Sequence, residues 1–321
     1  MNTEMFLVLD FGGTKLTAAT VTTAVLDKGQ LIWRTRKQAF SPINPSFQTD
    51  WQTMRQLADA ALDGGLPVAV GVSFGGPVDF ETGIVRLSHH VPGWEGVPLA
   101  QQLTDMFGVP VWVDNDANVG ALGEFWFGAG KRCDSLLYVT VSTGVGGGWV
   151  INGRSWRGHE RMAGEIGHMM LDPNGPPCLC GKNGCVERLA SGPYMAADAM
   201  HLVQKHPEKA PVLRKMIQEH GQLNGRHIAA AAASNDPVAT HLLQRSAWAI
   251  GTAIGNTANL INPKRFILGG GITKSGHIWW NKVRQAAQET ALPEIHFDII
   301  PALLGDDAPL WGAVAMCLQN K

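Results

Sequence analysis

Residues 6–21 of the chain read FLVLDFGGTKLTAATV. An apolar run leads into Asp10, a glycine pair, a threonine and a lysine follow, and a second apolar run returns up to residue 21. This order predicts a buried strand, a tight glycine turn and a return strand. Such a turn can direct backbone N–H groups, a hydroxyl and a cation at phosphate oxygens, and Asp10 could hold Mg²⁺ through water. Taken alone, the stretch fits an ordinary glycine hairpin equally well.

The same arrangement recurs in the middle of the chain. An apolar run at residues 136–141 leads into STGVGGG at residues 142–148, and residues 149–151 are again apolar. A third glycine cluster, at residues 269–271, follows a short predicted strand at residues 265–268. The three turns together weaken the interpretation as ordinary hairpins, and the two similar hairpins suggest a duplicated domain plan.

Two more apolar strands are predicted between these hairpins. Residues 68–73 lead into FGGP and residues 110–113 lead into DNDAN, so each strand delivers glycine or polar residues at one end. Strands that alternate with helical patterns predict an α/β fold, in which ligands gather at strand ends. The predicted helices cover residues 51–62, 117–127 and 239–261 and a C-terminal segment that begins near Asp306.

The composition is that of a globular protein without a general affinity for polyanions. The 321 residues allow two domains that each bury a core. Lys and Arg number 26 and Asp and Glu 27, so the formal charge of -1 gives no attraction to nucleic acid or anionic membrane. The apolar start at residues 5–9 is far shorter than a signal segment or a membrane span. We therefore expect a cytoplasmic protein that binds neither nucleic acid nor membrane.

Asp114, Asn115 and Asp116 place two carboxylates at the end of a predicted strand. A carboxylate there can reach into a cleft and accept a proton from an attacking hydroxyl. The same residues can also cap the helix that starts near residue 117. We expect both roles, with Asp116 as the functional carboxylate.

The strongest local signal is a histidine followed by three clustered cysteines. Five cysteines are present, and Cys178, Cys180 and Cys185 lie within eight positions, after His168. One histidine and three cysteines match a closed tetrahedral zinc site, and in a reducing compartment such clustering favours a metal over disulfides. Glu165 and Glu187 flank the cluster, where a rigid loop could direct their carboxylates at sugar hydroxyls.

With these motifs in order, the sequence resembles the ROK (repressor, open reading frame, kinase) family over essentially the whole chain. Residues 10–15 look like its first phosphate motif, residues 143–148 like its second, and residues 269–271 like its adenosine-side segment. The resemblance implies the sugar-kinase/actin-like, ribonuclease H-like fold, with duplicated α/β domains and an interdomain cleft. The implied domains are residues 1–115, joined by the C-terminal helix at about 306–321, and residues 116–305, which carry the zinc loop 164–187.

The resemblance also implies a role for each matching residue. Asp116 is the general base, and the zinc is structural because protein fills all four of its positions. The implied zinc ligands are His168, Cys178, Cys180 and Cys185. The implied sugar-binding residues are Gly76, His90, Asn115, Asp116, Glu165, His168 and Glu187. The implied MgATP-binding residues are Asp10, Gly12, Gly13, Thr14, Lys15, Thr143, Gly144, Gly146, Gly147, Gly269, Gly270 and Gly271.

The expected activity is transfer of the γ-phosphoryl group of ATP to a hexose hydroxyl, most simply the 6-hydroxyl of glucose. The spacer between His168 and Cys178 resembles both glucose and N-acetylmannosamine kinases, so the second sugar is the alternative. His90 departs from the family, since many relatives have an asparagine there. A sugar-sensing regulator is a further alternative, although the first strand, near residue 5, leaves no room for a preceding helix-turn-helix. The family commonly forms dimers, and we expect a homodimer.

Overall fold

The computed structural model describes residues 4–13, 15–42, 44–88 and 91–320. The strands in these ranges are β1 (Met5–Phe11), β2 (Lys15–Thr22), β3 (Thr35–Phe40), β4 (Ala69–Phe74), β5 (Val78–Asp79), β6 (Ile84–Val85), β7 (Val111–Asn115), β8 (Ser135–Val141), β9 (Val145–Ile151), β10 (Arg154–Trp156), β11 (Arg265–Gly269) and β12 (Asp298–Pro301). The α-helices are α1 (Thr23–Leu26), α2 (Phe47–Leu62), α3 (Leu99–Phe107), α4 (Asp116–Phe127), α5 (Val186–Ala190), α6 (Gly192–Lys205), α7 (Pro211–His220), α8 (Gly225–Ala233), α9 (Pro237–Ile261), α10 (His277–Thr290) and α11 (Ala308–Asn320).

The chain forms two compact units. One consists of Met1–Arg132, Gly148–Ala163 and Asp306–Lys321, and the other of Cys133–Gly147 and Gly164–Gly305. The predicted domain ranges 1–115 and 116–305 do not coincide with these units and stay a prediction.

The first unit contains a five-stranded sheet in the order β3-β2-β1-β4-β7. β1 and β2 are antiparallel, which confirms the predicted hairpin, whereas β1, β4 and β7 run parallel. Every residue of β1 is buried, as its continuous apolar run predicts for a strand covered on both faces. The parallel register pairs Asp10 with Ser73 and Ser73 with Asp114, so the polar residues that end these strands lie side by side.

Beside this sheet, α4 and α11 cross in close contact. α11 packs against α4 and against β1 and β4. A Cβ atom at Gly123 would collide with the backbone of Ala308, and one at Gly312 would collide with the backbone of Val119. Glycine is therefore required where α4 and α11 cross, since only its absent side chain allows the backbones to approach so closely.

The second unit contains three parallel strands that repeat this plan. β8 pairs with β11, and β11 pairs with β12. α9 is 25 residues long, and its N-terminus is capped by Asp236, whose side chain accepts from the N–H groups of Val238 and Ala239. Asn262, with a φ of 52°, ends the helix in the left-handed conformation. The helix predicted at residues 239–261 is thus confirmed.

Among the residues that the structure describes, no helix combines the length and the apolarity needed to cross a bilayer.

Candidate functional site

Asp10, the penultimate residue of β1, is a buried carboxylate with a short hydrogen bond. Its side chain is held by the hydroxyl of Ser73, which donates to Oδ1 at 2.8 Å. Burial is the dominant influence and raises the pKa of Asp10 to about 6, against the opposing effects of the Ser73 hydrogen bond and of the Lys15 ammonium. A divalent cation bound nearby would act in the opposite direction and favour the carboxylate.

The glycine turn after Asp10 is tight. The N–H of Gly12 donates to the carbonyl of Lys15 at 3.1 Å, and a Cβ atom on Gly12 would lie only 2.9 Å from that oxygen. The N–H of Gly75 donates to the carbonyl of Phe11 at 2.9 Å and so ties the turn to the end of β4. Thr14, predicted to bind phosphate, lies outside the described residues.

Asn115 and Asp116 stand where β7 passes into α4. Asn115 caps the helix, because its Oδ1 accepts from the N–H of Ala117 at 3.0 Å. Asp116 Oδ1 accepts from the same N–H at 2.8 Å, as expected of a carboxylate in the first turn of a helix. Asn115 Nδ2 donates to the carbonyl of Gly76 at 3.2 Å. Both residues therefore take part in local capping.

Gly76 is fixed by packing as well as by that hydrogen bond. A Cβ atom there would collide with the backbone carbonyl of Leu87 and approach the ring of Phe74 to 3.2 Å. Its backbone is thereby held beside Asn115. His90, the predicted departure from the family pattern, lies outside the described residues.

The second unit brings the four predicted metal ligands together. One ligand atom from each of His168, Cys178, Cys180 and Cys185 lies within 4.8 Å of the others, and the sulfurs of Cys180 and Cys185 are 3.6 Å apart. His168 Nδ1 is buried without a hydrogen-bond partner among the described residues, and a metal ion would give the imidazole one. Burial and the neighbouring thiols raise the pKa of Cys185 to about 12, whereas a bound cation stabilises the thiolate. The donor set fits Zn²⁺.

The loop that carries these cysteines is folded by backbone hydrogen bonds. The N–H of Cys178 donates to the carbonyl of Lys182 at 2.8 Å, and that of Gly181 returns to the carbonyl of Cys178 at 3.0 Å. Gly181 has a φ of +85°, which glycine adopts without strain. Leu179, between two cysteines, is 92% exposed, so the loop has little apolar burial of its own.

Glu187 connects the cysteine loop to the second glycine turn. Cys185 is the N-cap of α5, and Glu187 lies in the first turn of that helix. Its Oε2 accepts from the N–H of Val145 at 2.9 Å, and a Cβ atom on Gly144 would lie 2.7 Å from the same oxygen. The glycine is therefore required for the carboxylate to reach the turn.

Two further glycines let the turn lie against the segment that precedes the cysteines. A Cβ atom on Gly147 would approach the carbonyl of Gly164 to 2.6 Å, and one on Gly167 would collide with the carbonyl of Val145. Glu165 is the N-cap of the short 3₁₀ helix Ile166–His168 that follows. The second glycine turn and the predicted sugar-binding segment are thus packed together.

The third glycine cluster ends β11. Gly269 is paired with Thr140 of β8. Gly270 has a φ of +89°, and a Cβ atom there would collide with the backbone of Val141. Gly271 then begins the 3₁₀ helix Gly271–Lys274. This cluster therefore lies at the strand edge from which the turn at residues 142–144 departs.

Sequence reasoning missed several polar side chains that support these groups. Ser73 lies at a strand end and could have been suspected from that position. Arg157, which pairs with Asp114 at 2.7 Å, carries no motif. The same is true of the pair of arginines, Arg188 and Arg245, that bind Asp198.

Comparison with known proteins identifies the family. Residues 6–320 match the profile of the ROK family. This chain belongs to the ROK family. It is 35% identical to a glucokinase of Halalkalibacterium halodurans over 328 residues, which cover 100% of this chain and 97% of that protein. A xylose repressor of Bacillus subtilis is 31% identical over 255 residues, which cover 79% of this chain and 62% of the repressor.

The ROK fold is confirmed by a solved structure. The chain superposes on a ROK family glucokinase from Streptomyces griseus, crystallised in complex with glucose and AMPPNP, with a TM-score of 0.84 and 31% identity. The match covers 98% of this chain and 99% of that one. The predicted sugar-kinase/actin-like fold class is therefore correct.

The buried carboxylate of Asp10 makes the stability of this ROK protein depend on pH. Because its pKa is about 6 in the folded chain against 3.8 for an unburied aspartate, the folded state binds more protons between these values, and stability falls as pH rises through them. Asp10→Asn removes the charge, so we expect a gain of up to about 3 kcal/mol at neutral pH that falls below about 1 kcal/mol near pH 4. Chemical unfolding of the parent and the variant at neutral pH and near pH 4 measures this difference in stability. Asp59→Asn, an exposed carboxylate on α2, should show no such gain, and an equal gain in both variants would contradict the assignment.

Proposed function

We propose that this protein transfers the γ-phosphoryl group of ATP to a hydroxyl of a hexose, with the 6-hydroxyl of glucose as the first candidate. The observation that carries the proposal is the match to a glucokinase over 97% of that protein, together with the likeness to a structure crystallised with glucose and AMPPNP. The site residues predicted from the sequence support it, since their side chains suit phosphoryl transfer.

Asp116 is the proposed general base. Its carboxylate takes the proton from the sugar hydroxyl while the sugar oxygen bonds to the γ-phosphorus and the bond from that phosphorus to the bridging oxygen of ADP breaks. Two features support the role. Asp116 lies at the carboxyl end of a parallel strand, where α/β proteins bind ligands, and Asn115 fixes the backbone on which it stands.

The remaining sugar contacts are proposed from side-chain chemistry. Carboxylates accept two directional hydrogen bonds from neighbouring hydroxyls, and amide and imidazole groups can donate or accept. Gly76 supplies a backbone without a side chain at the edge of the pocket. The proposed sugar ligands are His90, Asn115, Glu165, His168 and Glu187.

The nucleotide is proposed to bind through glycine turns and a lysine. Backbone N–H groups in such turns suit phosphate oxygens, and Lys15 adds a positive charge. Mg²⁺ would be held by Asp10 through water and would neutralise charge on the phosphates. The proposed phosphate contacts are Gly12, Gly13, Thr14, Lys15, Thr143, Gly144, Gly146 and Gly147. The proposed adenosine contacts are Gly269, Gly270 and Gly271.

A structural zinc bound by His168 and the three cysteines is part of the proposal. The close approach of the four ligand atoms and the unpartnered His168 Nδ1 support it. The zinc loop leads directly into α5 through Cys185, so the metal would hold Glu187 in place. Because protein supplies all four ligands, the metal stabilises the loop without binding a reactive water.

The test is release of ADP from MgATP with a panel of sugars. The panel contains glucose, N-acetylmannosamine, N-acetylglucosamine, mannose, allose and fructose. We expect the highest kcat/KM with glucose; N-acetylmannosamine is the alternative, because the spacer between His168 and Cys178 resembles both groups. If no sugar of the panel leads to ADP release but one of them still raises the melting temperature, the result would favour a sugar-sensing regulator like the xylose repressor that the chain resembles. The predicted homodimer is a separate question, answered by light scattering.

Asp116→Asn should abolish turnover without abolishing binding. The amide keeps the shape and capping capacity of the side chain but cannot accept the sugar proton, so we expect kcat to fall by about 10²–10⁴-fold. Isothermal titration with the preferred sugar and with AMPPNP should give affinities near those of the parent. Asp105→Asn, on the exposed face of α3, is the control. Near-normal turnover in Asp116→Asn would show that another group is the base.

Cys180→Ser should release the metal and loosen the sugar site together. Because three protein ligands hold zinc far less tightly than four, we expect less than one zinc per chain by elemental analysis, a lower melting temperature and weaker sugar binding. Cys133→Ser, remote in sequence, should retain the metal. Loss of turnover with unchanged melting temperature and sugar affinity would contradict a structural zinc.

A further inference from the structure

Asp114 is a buried carboxylate that stands directly before the proposed sugar ligand and base. Only 2% of the residue is exposed. Its Oδ1 accepts from the N–H of Asn115 at 2.8 Å and from Nδ2 of Asn118 at 3.2 Å. It therefore fixes both sides of the strand–helix corner, which we define as residues 114–118.

The second carboxylate oxygen of Asp114 is bound by Arg157. The guanidinium donates to Oδ2 through Nε at 2.8 Å, and its second nitrogen, NH2, lies 2.7 Å from the same oxygen. Arg157 directly follows β10, so this contact joins parts of the chain that are 43 residues apart. The side chain of Arg157 is only 19% exposed.

Arg157 is itself held in place by an aromatic ring. Its guanidinium carbon lies 3.6 Å from the centroid of the Phe80 ring. A planar guanidinium suits both contacts at once, because it stacks on the ring with its flat face and donates from its edge. A lysine would keep the charge but could not reproduce this geometry.

We propose that Arg157 is a positioning residue for the strand–helix corner, acting through Asp114 on Asn115 and Asp116. The inference rests on the proposed function of that corner. Without the arginine, Asp114 would be a buried carboxylate with no counterion among the residues that the structure describes, a state that proteins avoid by rearranging or by protonating the group. Either response alters the acceptor that holds the Asn115 N–H, and with it the placement of the base.

The same loop offers a matched control. Arg161 lies four residues further on, and its guanidinium pairs with Glu81 and, at 3.6 Å, with Asp79. The side chain of Glu81 is 73% exposed, and neither acidic partner belongs to the strand–helix corner. An ion pair whose carboxylate is exposed, as that of Glu81 is, contributes little to stability. Arg161→Met therefore removes an arginine from the loop without touching the corner.

The experiment compares Arg157→Met, Arg157→Lys and Arg161→Met in steady-state assays with the preferred sugar, well below each melting temperature. For Arg157→Met we expect kcat to fall by about 10- to 100-fold, since a displaced catalytic group is costly. The KM for the sugar should rise because Asn115 moves, while the KM for ATP stays unchanged. Arg157→Lys should recover part of kcat, and Arg161→Met should match the parent.

The double variant Asp114→Asn/Arg157→Met provides a second test in case Arg157→Met does not fold. It removes both charges, so it should be more stable than Arg157→Met by thermal unfolding. Its kcat should nevertheless remain low, because the amide oxygen introduced at residue 114 can still accept a hydrogen bond but is no longer held in place by the arginine. The inference is overturned if Arg157→Met has a lowered melting temperature but the parental kcat and sugar KM. If that variant does not fold, the same result in the double variant overturns it. Either result leaves the proposed function intact. Absence of sugar-dependent ADP release in the parent overturns both.

Discussion

The parallel register of β1, β4 and β7 is the constraint on which the chemistry of the first unit depends. It places Asp10, Ser73 and Asp114 in one row at the strand ends, where all three are buried. A buried carboxylate is costly unless donors surround it. Asp114 meets this requirement with donors from the main chain, an amide and an arginine, whereas Asp10 has the hydroxyl of Ser73 and keeps a raised pKa. The difference suits their proposed roles, since one carboxylate holds a corner rigid and the other remains available to a cation.

In the second unit the decisive constraint is close contact between backbones. Gly144, Gly147 and Gly167 each stand where a Cβ atom would meet a carboxylate or a carbonyl oxygen. Their absent side chains allow the turn after β8 to lie against the segment that begins the cysteine loop. Glu187 completes the contact by accepting from the N–H of Val145. The turn proposed to bind phosphate and the loop proposed to bind sugar are thus packed against each other, so a change in the conformation of one would alter the other.

The cysteine loop shows how a segment with little apolar burial can still be ordered. Leu179 is almost fully exposed, and the backbone turns through glycines with positive φ. Metal ligation would supply the stabilisation that a hydrophobic core supplies elsewhere. The ROK family includes both kinases and repressors among the relatives of this chain, so the fold alone does not decide between catalysis and sensing. Whether the protein catalyses or senses depends on individual residues such as Asp116.

Features that are local or periodic could be predicted from the sequence alone. The strand–turn–strand order of residues 6–21, the length of α9 and its end at Asn262, and the grouping of the cysteines all follow from short-range patterns, because strands, caps and turns depend on neighbouring residues. Three contacts could be seen only in the folded chain: Arg157 with Asp114, Glu187 with Val145, and Asp198 with two arginines. These contacts join distant parts of the chain, and they depend on strand register and loop path. No periodicity in the sequence encodes either, so the residues that hold the proposed site in place became visible only when the chain was folded.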